Sequence, residues 1–465
     1  MTVRLTGWTR FSSAVRGEVQ HQSPDHIARL RWDGAQVEAA QREGLTGLLA
    51  HAVKHSPFHR ERLAGLDVDR IDPRDLSALP VMTKHDMMSA FDDVVTNRSL
   101  NLELVEEALA AAGEVPAAID GQYVAMASGG SSGQRGVFVL DRAALVGFIL
   151  SLSRGLLARL EAFGGPPPGG LPIGMVAAAS PVHATGLVVP FSAADDAPFR
   201  FHPAPATLPL AEIVERLNAT RPAALYGYAS MLHRLARERR EGRLDITPVA
   251  VTSTSETLLP EVRETVAEAF GVPVGNTFGS TEGLVGTSGP GEEPLTFNSD
   301  LCIVELVDED DQPVASGTPS AKVLVTNLYN RAQPLIRYEL TDSFVRQPDA
   351  AEHGHLRALV EGRTEDPLRY DDVDLHPHAV RAVLVATAAV LDYQVRQTRS
   401  GIEVDTLADG VLDVADLRTR LTSALATAGL RHPEVDVRVV DDLDRNAATG
   451  KLRRFLPLPV PTAVR

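Results

Sequence analysis

Cysteine is almost missing: Cys302 is the one thiol in 465 residues. A single cysteine excludes an internal disulfide and any metal cage built from several thiolates. No apolar run reaches the roughly 18 residues of a membrane-crossing helix, so none is expected. The opening stretch MTVRLTGWTRFSSAVRGEVQ lacks the apolar core of a secretory signal. These absences together predict a cytoplasmic protein. Positive charge is also short. Forty-five Lys and Arg face 61 Asp and Glu, a net charge of −16. Such a surface repels nucleic acid and anionic membrane. The basic runs RLARERREGR and KLRR are too short to reverse that, so neither partner is expected.

What is present is ordinary globular material, 44% hydrophobic and 23% charged. The chain is too long for one core and predicts more than one domain. Residues 37–55 carry an amphipathic helical pattern, and Thr83 with Asp86 three residues on reads as a helix start. From about residue 140 to 280 short apolar strands alternate with helices. That alternation predicts a parallel α/β sheet. Beyond about residue 290 the texture turns to antiparallel β. After about residue 366 a small α+β unit begins. The expected class is α/β: a large N-terminal domain, residues 1–364, with parallel α/β sheets and a β-rich part, then a small mobile α+β domain, residues 365–465.

One loop needs explaining. In YVAMASGGSSGQRGVFVL, residues 123–140, two apolar strands flank a core of Gly and Ser. Glycine lets backbone approach a ligand closely, and successive N–H groups turned inward make an anion nest. A plain hairpin fits the same residues. The loop lacks the Gly-Lys-Ser/Thr of a Walker loop and does not open a helix. Polar clusters also fall at the carboxyl ends of the predicted parallel strands, where open α/β sheets bind ligands.

In order, the polar islands are ASGGSSGQRG, SPVHATG, TSETL, FGSTEG, RYELTD, EGRTED and RNAATGKLRR. This series resembles the adenylate-forming superfamily of acyl-CoA synthetases, peptide-synthetase adenylation domains and luciferases. Within it the chain looks most like the phenylacetate-CoA ligase and CapK branch, whose opening SPFHRERL and LPVMTKHDM resemble. The resemblance spans nearly the whole chain.

It implies ATP, Mg²⁺ and CoA as cofactors and a small carboxylic acid as substrate. The Gly/Ser loop would hold the β- and γ-phosphates through Ser128, Gly130, Ser131, Ser132 and Gly133. Gln134 and Arg135 stand where the family has Lys and Pro, and Arg135 would supply the charge. Ser255, Glu256 and Thr257 would line the adenine pocket; Glu256 alone also suits a helix N-terminus. Phe278, Gly279 and Ser280 precede Thr281, which would meet the α-phosphate, and Glu282, which would hold Mg²⁺. Asp342 would accept the ribose hydroxyls, with Arg363 on the other side. His183 would orient the acyl carboxylate. Lys451, in the C-terminal Gly-Lys loop, would follow the charge passing from carboxylate to pyrophosphate, a task suited to a compact mobile ammonium.

Tyr226, Tyr228, Ser253, Asn276 and Leu284 would line the acid pocket, and the two tyrosines lean toward an aromatic acid. Glu365 occupies the hinge position. One departure bears on the acceptor. Aligning DVDLHP by Pro377 puts Asp372 where the family keeps a glycine beside the pantetheine tunnel, with Arg369 and Arg381 as nearby cations. The resemblance implies transfer to CoA; an amine, a hydroxyl or a carrier-protein thiol is the alternative acceptor.

Overall fold

The computed structural model describes Leu5 and residues 7–128, 135–162, 164–178, 180–194, 197–363, 368–370, 373–375, 377–387 and 389–458. A nine-stranded sheet runs through the larger part. Five neighbouring strands are parallel: Phe199–Pro203, Leu171–Val176, Ala224–Tyr228, Ala250–Thr254 and Val274–Gly279. Helices Leu210–Thr220, Ala229–Arg240 and Pro260–Phe270 are the crossovers that parallel strands require. Leu217, Leu225, Leu232, Val251 and Val266 are buried between these helices and the sheet.

The predicted change of texture near residue 290 is not a break between bodies. The same sheet continues, antiparallel, through Val285–Thr287, Leu295–Phe297, Arg357–Arg363 and Asp342–Arg346. Strands Cys302–Val307, Lys322–Asn327 and Tyr338–Leu340 form a separate antiparallel sheet. The second core, with Phe297, Phe344 and Tyr338, lies between the two β regions. Strand Phe199–Pro203, an edge strand, has no counterpart in the predicted order.

Local signals explain the N-terminal helices. Helix Gly34–His55 starts at a reciprocal capping box between Asp33 and Gln36. Helix Lys84–Ser89 starts at the expected one between Thr83 and Asp86. Helix Arg142–Ala162 is long and apolar enough, by length and composition, to cross a membrane; 44% of its apolar window is buried inside the protein. Its Arg154 is fully buried and makes a bidentate ion pair with Asp300, at 2.9 and 2.6 Å, while Asn298 accepts two further bonds. A charge so deep is tolerated because every donor direction it uses meets an acceptor.

The C-terminal part has its own core. Strands Glu434–Val439, Gly401–Ala408, Val390–Gln397 and Phe455–Leu456 form a four-stranded sheet. Helices His378–Val385 and Val414–Thr427 bury Leu384, Leu417, Leu421 and Leu425 with it. A handful of polar contacts join it to the larger part, among them Arg381 to Glu261 at 3.3 Å and Arg234 to Asp442 at 3.3 Å.

Candidate active site

The Gly-Lys loop folds back on itself. Gly450 N–H donates to Asn446 O at 2.7 Å, and Asn446 Oδ1 accepts from the Ala448 and Thr449 backbones. Gly450 sits at φ +70°, and a Cβ there would lie 2.7 Å from the Ala206 backbone. Only glycine fits both the backbone angle and the contact. The loop is thereby pressed onto the carboxyl-end rim of the parallel sheet. Its lysine reaches inward: Lys451 Nζ lies 5.8 Å from the centre of the Tyr228 ring, within cation–π range.

Tyr228 ends its strand and is fully buried. Its hydroxyl accepts from Ala178 N–H at 2.9 Å and interacts with Thr185. Burial, with Glu256 nearby, drives its pKa up, so it stays a neutral phenol. Ala178 precedes the SPVHATG element and Thr185 lies within it. His183 stands between them, its Nδ1 3.1 Å from Ala127 O at the base of the Gly/Ser loop. Burial lowers the His183 pKa, and the charges of Lys451 and Arg135 push the same way. Four predicted residues from distant segments, His183, Tyr228, Lys451 and Arg135, thus share one neighbourhood.

The Gly/Ser loop closes an antiparallel hairpin, Tyr123–Ala127 with Val137–Asp141. Ser128 and Gly136 pin its neck: Ser128 N–H donates to Gly136 O at 2.9 Å, and Ser128 Oγ accepts from Gly136 N–H at 2.8 Å. Arg135 is exposed and ion-paired with Glu106. Gly130, Ser131, Ser132 and Gly133 lie outside the described residues.

The expected acid-pocket set divides. Register pairs Tyr226 with Thr252, Gly227 with Ser253, and Ser253 with Asn276. Side chains alternate across a sheet. Tyr226 therefore shares a face with Thr254 and Thr277, and its hydroxyl interacts with both. Ser253 and Asn276 belong to the opposite face. Ser253 is fully buried with its hydroxyl unpartnered, while the Asn276 backbone donates to Ser288 Oγ and accepts from Ser288 N–H. Leu284 is fully buried in the second core, away from both tyrosines. Thr254 and Thr277, unpredicted, replace these three beside Tyr226. Register, the deciding signal, cannot be read from one strand.

The FGSTEG segment makes a tight turn: Ser280 N–H donates to Leu284 O at 2.9 Å, and Ser280 Oγ accepts from Leu284 N–H. Gly283 takes φ +99° there, with a Cβ position blocked by Asn327 and Tyr329. The turn holds Thr281 half-exposed and Glu282 buried. Glu282 is close enough to Tyr338 to reinforce the upward pKa shift that burial gives that phenol. Gly279 ends the strand. The Phe278 ring packs edge-on against Phe344, centroids 5.2 Å apart, so its side chain serves the core.

Asp342 and Arg363 are direct partners across the antiparallel ladder. Asp342 is half-buried. Glu365 and Asp372 lie outside the described residues; Arg381, one of the cations considered for Asp372, pairs with Glu261. In TSETL, Ser255 adopts φ 62°, Thr257 is exposed, and the Glu256 carboxylate accepts from two backbone N–H groups, Ser230 at 2.9 Å and Leu452 at 2.8 Å.

No protein-family model matches the chain. Protein CapK of Staphylococcus aureus is 29% identical over 140 residues, 28% of each chain. A phenylacetate-coenzyme A ligase of Thermus thermophilus is 29% identical over 208 residues, 42% of this chain and 44% of the relative. The matches thus span less than half the length of either relative. Among solved structures, 2-hydroxyisobutyryl-CoA ligase in the postadenylation state superposes with a TM-score of 0.68, at 17% identity, covering 92% of this chain and 90% of that one. The same enzyme in the thioesterification state gives 0.53, at 19% identity, over 92% and 91%. The chain therefore has the fold of this ligase over nearly its whole length.

Proposed function

We propose that this protein is an ATP-dependent, AMP-forming carboxylate ligase that passes its acyl group to CoA. The observation that carries the reading is the convergence of Lys451, Tyr228 and His183 at the carboxyl ends of the parallel strands. In the first step a substrate carboxylate oxygen attacks the α-phosphorus of ATP; the acyl–O–P bond forms and pyrophosphate leaves. In the second, the CoA thiol attacks the acyl carbonyl. A C–S bond forms, AMP leaves, and the thiol proton passes to solvent.

The chain's own residues position and neutralise charge. Lys451 places an ammonium beside the reacting carboxylate and α-phosphate. His183, kept neutral by burial, orients the carboxylate without adding charge. Asp342, whose backbone pairs with that of Arg363, accepts the ribose hydroxyls in this reading. Among the described residues no three His, Cys, Asp or Glu side chains gather as a metal cage. Glu282 by itself fits Mg²⁺, which takes one or two carboxylates and fills its shell with phosphate oxygens and water. Glu282 would hold the ion there, and Mg²⁺ would supply neutralisation of phosphate charge.

Tyr226, held through its hydroxyl by Thr254 and Thr277, offers a fixed ring face, which suits a planar, aromatic acid. The higher TM-score with the postadenylation state than with the thioesterification state supports reading this arrangement as the one used for adenylation. We place the division between the two parts at the EGRTED segment, with Glu365 as the hinge.

The test is acid-dependent pyrophosphate exchange over a panel of aromatic and aliphatic acids, followed by CoA addition with mass detection of thioester and AMP. Exchange with at least one acid, and thioester only when CoA is present, is the expected result. Adenylate that accumulates unchanged by CoA transfers the acceptor role to an amine, hydroxyl or carrier thiol. No exchange with any acid overturns the reading.

A further inference from the structure

Two bridges tie the larger part to the Gly-Lys loop, one directly at Leu452 and one through Arg445, which also holds Gly450. In the first, the Glu256 carboxylate takes one hydrogen bond from each side: Ser230 N–H to Oε2 at 2.9 Å and Leu452 N–H to Oε1 at 2.8 Å. Ser230 lies in the first turn of helix Ala229–Arg240, so the carboxylate also sits at the positive end of a helix. In the second, Arg445 Nη1 donates to Ser230 Oγ at 2.8 Å and to Gly450 O at 3.2 Å. Ser230 is fully buried and Leu452 nearly so. Glu256 and Arg445 also feel each other: burial lowers the Arg445 pKa and the Glu256 charge opposes that.

The arrangement is selective. One bond fixes the residue after Lys451, the other the residue before it, and both end on Ser230 or its carboxylate partner. Gly450 against Ala206 leaves no slack in the loop backbone. We propose that Glu256 and Arg445 are a paired interlock that registers the Lys451 loop on the larger part for adenylation and must open for any later step. This rests on the adenylation reading above, and it gives Glu256 a task other than lining the adenine pocket. Both residues are positioning residues: they act through Lys451.

The interlock predicts three linked results. Glu256→Gln replaces one of two acceptor oxygens with a donor, so one backbone N–H loses its partner. Arg445→Met removes both donors at similar length. Each should lower kcat for pyrophosphate exchange at least tenfold with the KM for ATP within about threefold of wild type. The double variant should be no worse than the more damaged single one, as expected of residues acting as a unit. Arg445→Lys, which can keep one donor bond, should recover part of the rate.

The second readout needs no catalysis. Spin labels at Glu215→Cys and Arg399→Cys, both exposed, report the distance between the two parts by pulsed EPR; the native Cys302 is buried. Unliganded wild type should give one narrow distribution, and Glu256→Gln and Arg445→Met should broaden it. If wild type shows no exchange with any acid, the adenylation reading fails while the distance measurement still decides the interlock. Unchanged distances in both variants overturn the interlock, even if exchange falls, because the residues would then act directly on the nucleotide. Broadened distances with undiminished exchange in an active protein overturn the claim that the interlock positions Lys451.

Discussion

Asp342 and Arg363 stand directly opposite each other at one end of the nine-stranded sheet. In the proposed reaction Asp342 accepts the ribose hydroxyls. Asp342→Ala should raise the KM for ATP roughly tenfold, the cost of uncompensated hydrogen bonds to the sugar, with a smaller effect on kcat. Steady-state kinetics with varied ATP measure it, and an unchanged KM removes Asp342 from the nucleotide site.

Glu282→Gln keeps the shape of the buried side chain and removes its charge. The Mg²⁺ concentration for half-maximal pyrophosphate exchange should rise about tenfold, since a single protein carboxylate makes a large share of the site's charge. A magnesium titration at saturating ATP measures this. A superimposable titration curve places the metal elsewhere.

The Arg154–Asp300 pair is a stability element. Its bidentate geometry and complete burial mean that removing one charge strands the other. Asp300→Asn should destabilise the protein by about 3 kcal/mol or more. Urea denaturation followed by circular dichroism reads the change. A loss under about 1 kcal/mol would show that Asn298 alone satisfies the guanidinium.

Among the described residues, eight histidines have pKa values lowered chiefly by burial, with His26 and His59 brought to about 4. A histidine lowered on folding binds more protons unfolded than folded. Its contribution is intact above about pH 6.5 and is lost as pH falls toward the folded value. Glu305, whose pKa burial raises, works in the opposite direction, but it is one group. Thermal stability should therefore fall from pH 7 to pH 5. His59 is the clearest member: its Nε2 donates to Pro334 O at 3.0 Å and its Nδ1 is buried without a partner. His59→Gln should be less stable at pH 7 and show a shallower fall toward pH 5. Differential scanning calorimetry at both pH values measures it; equal slopes would exclude His59 from the acid response.

Much of the fold was legible because its signals are local. Thr83 and Asp86 cap their helix as their spacing implies, and the strand–helix alternation between residues 140 and 280 became the parallel sheet. The ends of that sheet carry His183 and Tyr228, since motif order fixes which strand each follows, and Lys451 joins them from the C-terminal loop docked on that rim. What stayed hidden depends on neighbours in space. The placement of Ser253 and Asn276 away from Tyr226 follows from interstrand register, and the burial of Leu284 from the direction of a five-residue turn closed by Ser280. The contact between Glu256 and Leu452 joins segments that no periodicity connects. Thr254 and Thr277 could have been found by pairing adjacent strands and asking which residues share a face with Tyr226.

The central claim is that Lys451 drives adenylate formation from its place over Tyr228. Lys451→Ala, assayed by pyrophosphate exchange with an acid the wild type accepts, tests it most directly. The account predicts a loss of at least a hundredfold, with the thermal transition of the larger part unchanged. Exchange within a few-fold of wild type would contradict it.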